Sequence, residues 1–443
     1  MANLKQIALG MFHETLAAID IPRTMRRKLS REGSRILVNG APVDLSAFER
    51  ICAIAIGKAS AAMTRGLAES FSPDFRAEGI VVAPTAASGL PQGFRAMVAG
   101  HPVPNEGSFA AARTILDLLA AANERTLVFF LLSGGGSALV ELPLDIPPAP
   151  GITLEDMQAL HRALVTCGAS IDEINAVRKH LSAVKGGRLA IAAGSAMKIT
   201  LAVTDVPEGQ ESALASGPTL PDPTTVSDAC GVVRRYELLS KLPPNIRARF
   251  EHPESIQETP KAGDPAFDAR RSSFQILLGQ DDLFHFARRA SESAEFVTVC
   301  DNTTDNWPVE KAVDFLLEQL GTLKKANPGK RVAVIADGEV SSPVTGNGIG
   351  GRNLAFALDA VKKIAGRKIA VLSAGTDGVD GSSPAAGAIA DGETLARAQS
   401  LGLDPADYFQ RSDSYAFFHA LGDTIETGPT GNNLRDLRIL LAE

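Results

Sequence analysis

The chain has 443 residues, 45% of them apolar and 21% charged, with a net charge of −7. That length exceeds one ordinary core and sets an expectation of two or three domains. The mildly acidic balance supplies no basic surface for nucleic acid or an anionic membrane, so neither is expected as a partner.

In chain order, Met1–Asp20 is interrupted by Lys5, His13 and Glu14, which makes it an amphipathic helix rather than a signal peptide. A basic stretch, 23–35, precedes a strand-like run, Ile51–Ile56, followed directly by Gly57-Lys58-Ala59-Ser60 and a helix to about Ser70. Strand, Gly-Lys, helix is a phosphate-binding layout, although Cys52 stands where a Walker A loop needs glycine. Lys58 beside a helix start opposes the helix dipole unless an anion lies between them, which points to a ligand role. Next come a short strand, 79–83, and the proline loop Gly100–Gly107, where His101 is more readily a loop-fixing residue than a catalyst. Thr126–Leu132 is a continuous apolar run, the pattern of a strand buried on both faces and far too short to cross a bilayer. It ends in Ser133-Gly134-Gly135-Gly136-Ser137, where consecutive N–H groups and two hydroxyls can form an anion nest.

Two capping boxes, Thr153/Asp156 and Ser170/Glu173, start helices. Arg178, Ser182 and Lys185, spaced i, i+4, i+7, are expected to share a helical face as a polar stripe, either ligand-binding or solvated. A strand over 198–204 ends at Asp205, placed as a Mg2+ ligand or a cap. The polar segment 245–271 reads as a linker.

Alternating strands and helices then resume, indicating α/β architecture with largely parallel pairing. Within it, Gly346-Asn-Gly-Ile-Gly-Gly-Arg-Asn353 puts four glycines ahead of Arg352 and an apolar helix. Positive φ, close backbone approach and a fixed cation are the expected ingredients of an anion site there. Gly375-Thr-Asp-Gly-Val-Asp-Gly381 repeats the pattern after another strand. The closing segment, 434–441, reads as a strand or a helix. Four scattered cysteines, Cys52, Cys167, Cys230 and Cys300, exclude a cysteine zinc site and fit a reducing cytoplasm, the expected location.

Val177-Arg-Lys-His-Leu-Ser-Ala-Val-Lys-Gly-Gly-Arg188, Ala215-Ser-Gly-Pro-Thr219, Gly350-Gly-Arg-Asn353, Gly375–Gly381 with Ala385–Ala388, and Thr427–Gly431 together resemble the glycerate 2-kinase family with a C-terminal MOFRL domain. The resemblance spans nearly the whole chain. It implies an N-terminal Rossmann-like α/β/α domain (1–245), a C-terminal α/β domain with a mixed sheet (272–443), and an active site in the cleft between them. It also implies ATP-dependent phosphorylation of D-glycerate at the 2-hydroxyl with Mg2+ or another divalent cation, and places Lys58 and Arg352 in the catalytic role. The binding candidates are Ser133, Gly134, Gly135, Gly136, Ser137, Arg178, Lys185, Gly350, Gly351, Asn353, Gly375 and Thr376. Asp205, Asp377 and Asp380 are the metal candidates, with their division of labour left open. Glu208-Gly-Gln210 and Leu354-Ala355 depart from the residues usual at those places. A homodimer is left open. The rival reading is an NAD(P)H-dependent hydroxypyruvate reductase using Gly346-x-Gly-x-x-Gly351; it lacks both a clean strand before the glycines and the acidic residue expected ~20 positions on.

Overall fold

A computed structural model describes residues 3–72, 75–144, 151–204, 206, 209–432 and 434–443. The chain forms two compact units, Ile21–Leu277 and Met1–Asp20 with Leu278–Glu443. Among the described residues, no helix is long and apolar enough to cross a membrane.

The first unit is built on a six-stranded sheet in the spatial order Phe94–Val98, Glu78–Ala83, Arg50–Ile56, Thr126–Leu132, Met197–Val203, Ser272–Leu278. The first five strands are parallel. Every residue of Thr126–Leu132 is buried, as a strand covered on both faces requires. From Arg50–Ile56 the chain adds two strands on one side, then returns to add Thr126–Leu132 on the other. The strand order therefore reverses between these two, and the crevice beyond their carboxyl ends is where open α/β sheets bind ligands.

A second core of this unit lies among the helices Leu154–Thr166, Ile171–Leu181, Val226–Arg235 and Pro244–Glu251, centred on Leu160, Leu164, Val177, Val233 and Phe250. The segment expected to be a linker thus begins with a helix that buries Ile246 and Phe250, and Ile256 is buried beyond it. The basic stretch near the start forms the helix Ile21–Lys28 and enters a small antiparallel sheet of Leu29–Glu32, Arg35–Val38 and Ala41–Asp44.

The second unit has a mixed sheet in the order Val297–Asp301, Val332–Asp337, Asp436–Ala442, Ile369–Gly375, Gly387–Asp391, Thr424–Ile425. Its first pair is parallel and the others antiparallel. The closing segment is a strand, wholly buried between two others. Because it runs against both neighbours, its first two residues meet their last ones: Asp337 pairs with Leu437, and Gly375 with Asp436. The helix Leu4–Ala18 packs on this sheet and on the helix Gln280–Ser293, burying Met11 and Phe12. Sequence order alone assigned that helix to the N-terminal domain.

Candidate active site

At the reversal of strand order in the first unit, Gly57 adopts φ +124°, and a Cβ there would fall 2.2 Å from Ser133 Oγ. Glycine is therefore required for the two turns to touch. The Lys58 N–H donates to Gly134 O at 3.0 Å, and the Ala59 N–H to Ser133 Oγ at 3.0 Å. The Gly-Lys turn and the Ser-Gly-Gly-Gly turn, 74 residues apart in sequence, are thus bonded together. Lys58 itself is exposed. Gly135 is left-handed at φ +87°, and a side chain on it would meet His101 at 3.0 Å and the Lys58 stem at 3.6 Å, so these two residues flank it. Burial first, then the charge of Lys58, hold the His101 ring below its usual pKa.

Gly136 closes the loop against Ala215, where an added Cβ would come within 2.6 Å of the alanine methyl. Ala215 and Ser216 both have positive φ, +50° and +58°. Non-glycine residues held there carry ~1–3 kcal/mol of strain each, a cost that clusters at functional sites. The strained turn places Ser216 Oγ 2.8 Å from Ser137 Oγ and lets it donate to Asn175 Oδ1 at 2.9 Å.

Arg178, Ser182 and Lys185 are buried, so the solvated alternative is excluded. They do not share a helical face: the helix ends at Leu181 and Ser182 is extended, with ψ 138°. What gathers two of them is Glu141, which accepts from Ser182 Oγ at 2.6 Å and from Lys185 Nζ at 2.7 Å. Lys185 also donates to Val140 O at 3.0 Å. Its burial pulls the ammonium pKa down while Glu141 opposes the shift. Arg178 instead places Nη2 3.1 Å from His161 Nδ1 and 3.3 Å from Nε2. Burial pushes the His161 pKa down to about 4, with Arg178, Lys185, His101 and Arg162 adding to the effect. His161 is therefore a neutral ring at neutral pH.

In the second unit, Arg352 opens the helix Arg352–Lys363. Its guanidinium grips Asp436 through Nε at 2.6 Å and Nη2 at 3.3 Å, and Glu339 through Nη1 at 2.6 Å. Burial alone would lower its pKa, but the two carboxylates raise it. Among the described residues three of its five N–H groups are used, which leaves one on each terminal nitrogen to donate. The expected anion at the helix start is supplied by the chain: Asp380 accepts from the Asn353 N–H at 3.1 Å and the Leu354 N–H at 2.8 Å. Its own pKa is pushed up to about 6 by burial, with backbone hydrogen bonds opposing and Asp436 adding.

Positive φ was expected through Gly346–Gly351, yet none of these glycines shows it. They are needed for contact with other parts of the same unit. A Cβ at Gly346 would meet Arg411 O at 2.3 Å, at Gly348 the Asp413 side chain at 2.4 Å, at Gly350 Ser414 Oγ at 2.4 Å, and at Gly351 the Asp380 carboxyl at 2.4 Å. Asn353 is buried, donating to Asp380 at 3.3 Å and accepting from Ser373 Oγ at 2.6 Å. Gly375 ends its strand, and Thr376 Oγ1 donates to Arg435 O at 2.8 Å, tying down the turn. Asp377 is half-buried there and accepts from the Val379 N–H at 3.2 Å. Asp205 lies outside the described residues.

Residues 7–251 match the family described as "Domain of unknown function (DUF4147)", and residues 332–436 match the MOFRL family. The chain is 36% identical to a D-glycerate 2-kinase of Thermotoga maritima, covering 99% of this chain and 98% of that one. The chain belongs to the DUF4147–MOFRL glycerate kinase family. A crystal structure titled as a glycerate kinase of Thermotoga maritima superposes with a TM-score of 0.84 at 34% identity, covering 99% of both chains. Another relative, from Agrobacterium vitis and named a putative hydroxypyruvate reductase, is 36% identical over 88% of this chain and 87% of its own.

Within this glycerate kinase framework the sequence had singled out Lys58, the Ser133–Ser137 loop and Arg352, and the structure joins the first two. It missed His161, Glu141, Asn175, Ser216, Glu339 and Asp436. Ser216 lay inside a quoted motif. Asp436 lay within the closing segment 434–441, and Asn175 two residues before the Val177–Arg188 motif. His161 carried no signal, because only folding brings its helix beside Arg178.

Proposed function

We propose that the protein is an ATP-dependent D-glycerate 2-kinase, giving 2-phosphoglycerate and ADP. The observation that carries this reading is the union of Lys58 with the Ser133–Ser137 turn at the reversal of strand order, in a chain similar over its full length to a D-glycerate 2-kinase. Phosphoryl transfer asks a protein chiefly for positioning and neutralisation of spreading negative charge. The glycine turn offers backbone N–H groups, Lys58 an exposed cation, and Arg352 further N–H donors on a guanidinium fixed by Asp436 and Glu339.

Among the described residues no three His, Cys, Asp or Glu side chains gather as a metal site. Mg2+ needs no such cluster, since it takes one or two carboxylates and completes its octahedron with water and phosphate oxygens. Asp377, half-buried at a strand end, is the carboxylate we assign to it. When bound, the cation supplies charge neutralisation between the phosphates. The four free cysteines accord with a cytoplasmic location, and light scattering tests for the homodimer.

The experiment is a coupled ADP-release assay with D-glycerate, ATP and Mg2+, run beside hydroxypyruvate plus NAD(P)H. Lys58→Ala and Arg352→Ala are each expected to lower kcat/KM by about a hundredfold or more, with no pyridine-nucleotide oxidation by any variant. Nucleotide oxidation without ADP release overturns the reading. It would also require a dinucleotide to approach glycines that are already in contact with Arg411, Asp413 and Ser414.

A further inference from the structure

Most of the buried cations in the Val177–Arg188 motif are answered by the protein itself. Lys179 pairs with Asp222 at 3.2 Å and Lys185 with Glu141 at 2.7 Å, while Arg188 donates to the Gln257 and Glu258 carbonyls at 3.2 and 3.3 Å. Arg178 is different. It is 7% exposed, and among the described residues no carboxylate comes within ion-pairing distance; its hydrogen-bond partner is His161. The carboxylate that acts on it from further off, Glu141, is already bonded to Lys185 Nζ, Ser182 Oγ and the Leu142 N–H. The other charged or titratable groups acting on His161 are Lys185, His101 and Arg162, none of them an acid.

A guanidinium buried beside a neutral ring leaves a positive charge unanswered, and such a charge costs several kcal/mol unless an anion joins it. Two donors mark where the anion goes. Arg178 Nε and Asn175 Nδ2 are both buried with no hydrogen-bond partner among the described residues. They lie three residues apart on the helix Ile171–Leu181 and so share a face. Asn175 is oriented by Ser216, which donates to its Oδ1 and is held in a strained turn against Ser137.

We infer that Arg178 and Asn175, with His161 as the positioning residue that leaves the guanidinium charge unspent, receive the carboxylate of the hydroxy-acid substrate. This rests on the kinase reading and names the part of the substrate bound there. One unpaired guanidinium matches the single charge of a carboxylate. A nucleotide polyphosphate, with several charges, matches instead the N–H-rich turn, the exposed Lys58 and a divalent cation. A histidine suits the positioning task because it offers a hydrogen-bond acceptor without a negative charge, whereas Asp or Glu in its place would neutralise the guanidinium.

The test measures calorimetric binding of D-glycerate and, separately, of ADP with Mg2+, for wild type, His161→Gln, His161→Glu and Asn175→Asp. His161→Gln keeps a neutral acceptor and is expected to bind glycerate within threefold of wild type. His161→Glu and Asn175→Asp bring a carboxylate to Arg178 and are expected to weaken glycerate at least tenfold while ADP changes less than threefold. Unchanged glycerate affinity in the carboxylate variants overturns the inference, as does an equal loss in His161→Gln or a loss confined to ADP. Should His161→Glu fail to fold, Asn175→Asp carries the same comparison. Because the readout is binding, it separates from the activity assay: a wild type that binds glycerate in this charge-sensitive way but releases no ADP sinks the kinase reading alone. ADP release with glycerate affinity indifferent to these variants sinks this inference alone.

Discussion

Glu141 and His161 handle two neighbouring cations in opposite ways. Lys185 is fully buried and bonded to Glu141, so Glu141→Ala is expected to cost ~3–5 kcal/mol by stranding the ammonium, read from urea unfolding. Replacing both, as Glu141→Gln with Lys185→Met, should recover much of that loss, since no charge is then left unpaired. His161 makes a pH prediction. Its folded pKa of about 4 lies below the ordinary value near 6.5, so the contribution of the neutral ring is complete above the unfolded value and is lost as pH falls through the folded one. Wild type should therefore lose stability relative to His161→Gln between about pH 6.5 and pH 4, and equal slopes for the two proteins would remove His161 from the account. That Arg178, Ser182 and Lys185 form a group was legible in their spacing, but whether the group is buried or solvated was not. Nor was its geometry, because the helix stops at Leu181 and Glu141, 41 residues before Ser182, does the gathering.

The helix Arg352–Lys363 shows how an element can present the outward signs of an anion site and have the anion built in. Asp380 accepts from two of its first N–H groups. Asp380→Ala should lower stability by ~2 kcal/mol through loss of a buried, charged cap, measured by thermal or urea unfolding. Gly351→Ala should cost ~1–3 kcal/mol by overpacking against the same carboxyl. A Gly351→Ala protein as stable as wild type would mean that Asp380 moves aside readily. Glycine clusters are readable in sequence as places of close approach, and in all three a glycine lies close against another part of the chain. Whether the approaching group is a ligand or the protein depends on partners such as Arg411–Ser414, which sit over 60 residues from Gly346–Gly350 and leave no local mark.

For the whole molecule, the alternation of strand and helix conveyed the α/β class, and continuous apolar runs such as Thr126–Leu132 located central strands. Less legible was which unit owns each segment, because an amphipathic helix records that it has a buried face without naming the surface that covers it. Leu4–Ala18 belongs with Leu278–Glu443. Phe12→Ala, emptying a fully buried ring site, should cost ~3–5 kcal/mol and raise amide hydrogen exchange in the strands of that unit. Loss of protection confined to Ile21–Leu277 would contradict the assignment. The same arrangement sets a clock on biosynthesis. The helix emerges from the ribosome early, while the sheet that buries Phe12 is made last; at ~5–20 residues per second the intervening Ile21–Leu277 segment takes roughly 13–50 s to translate. For that interval the nascent chain carries an uncovered apolar stripe ahead of a domain free to finish folding, which makes the helix the natural landing place for a chaperone and the last piece of its own unit to find its seat.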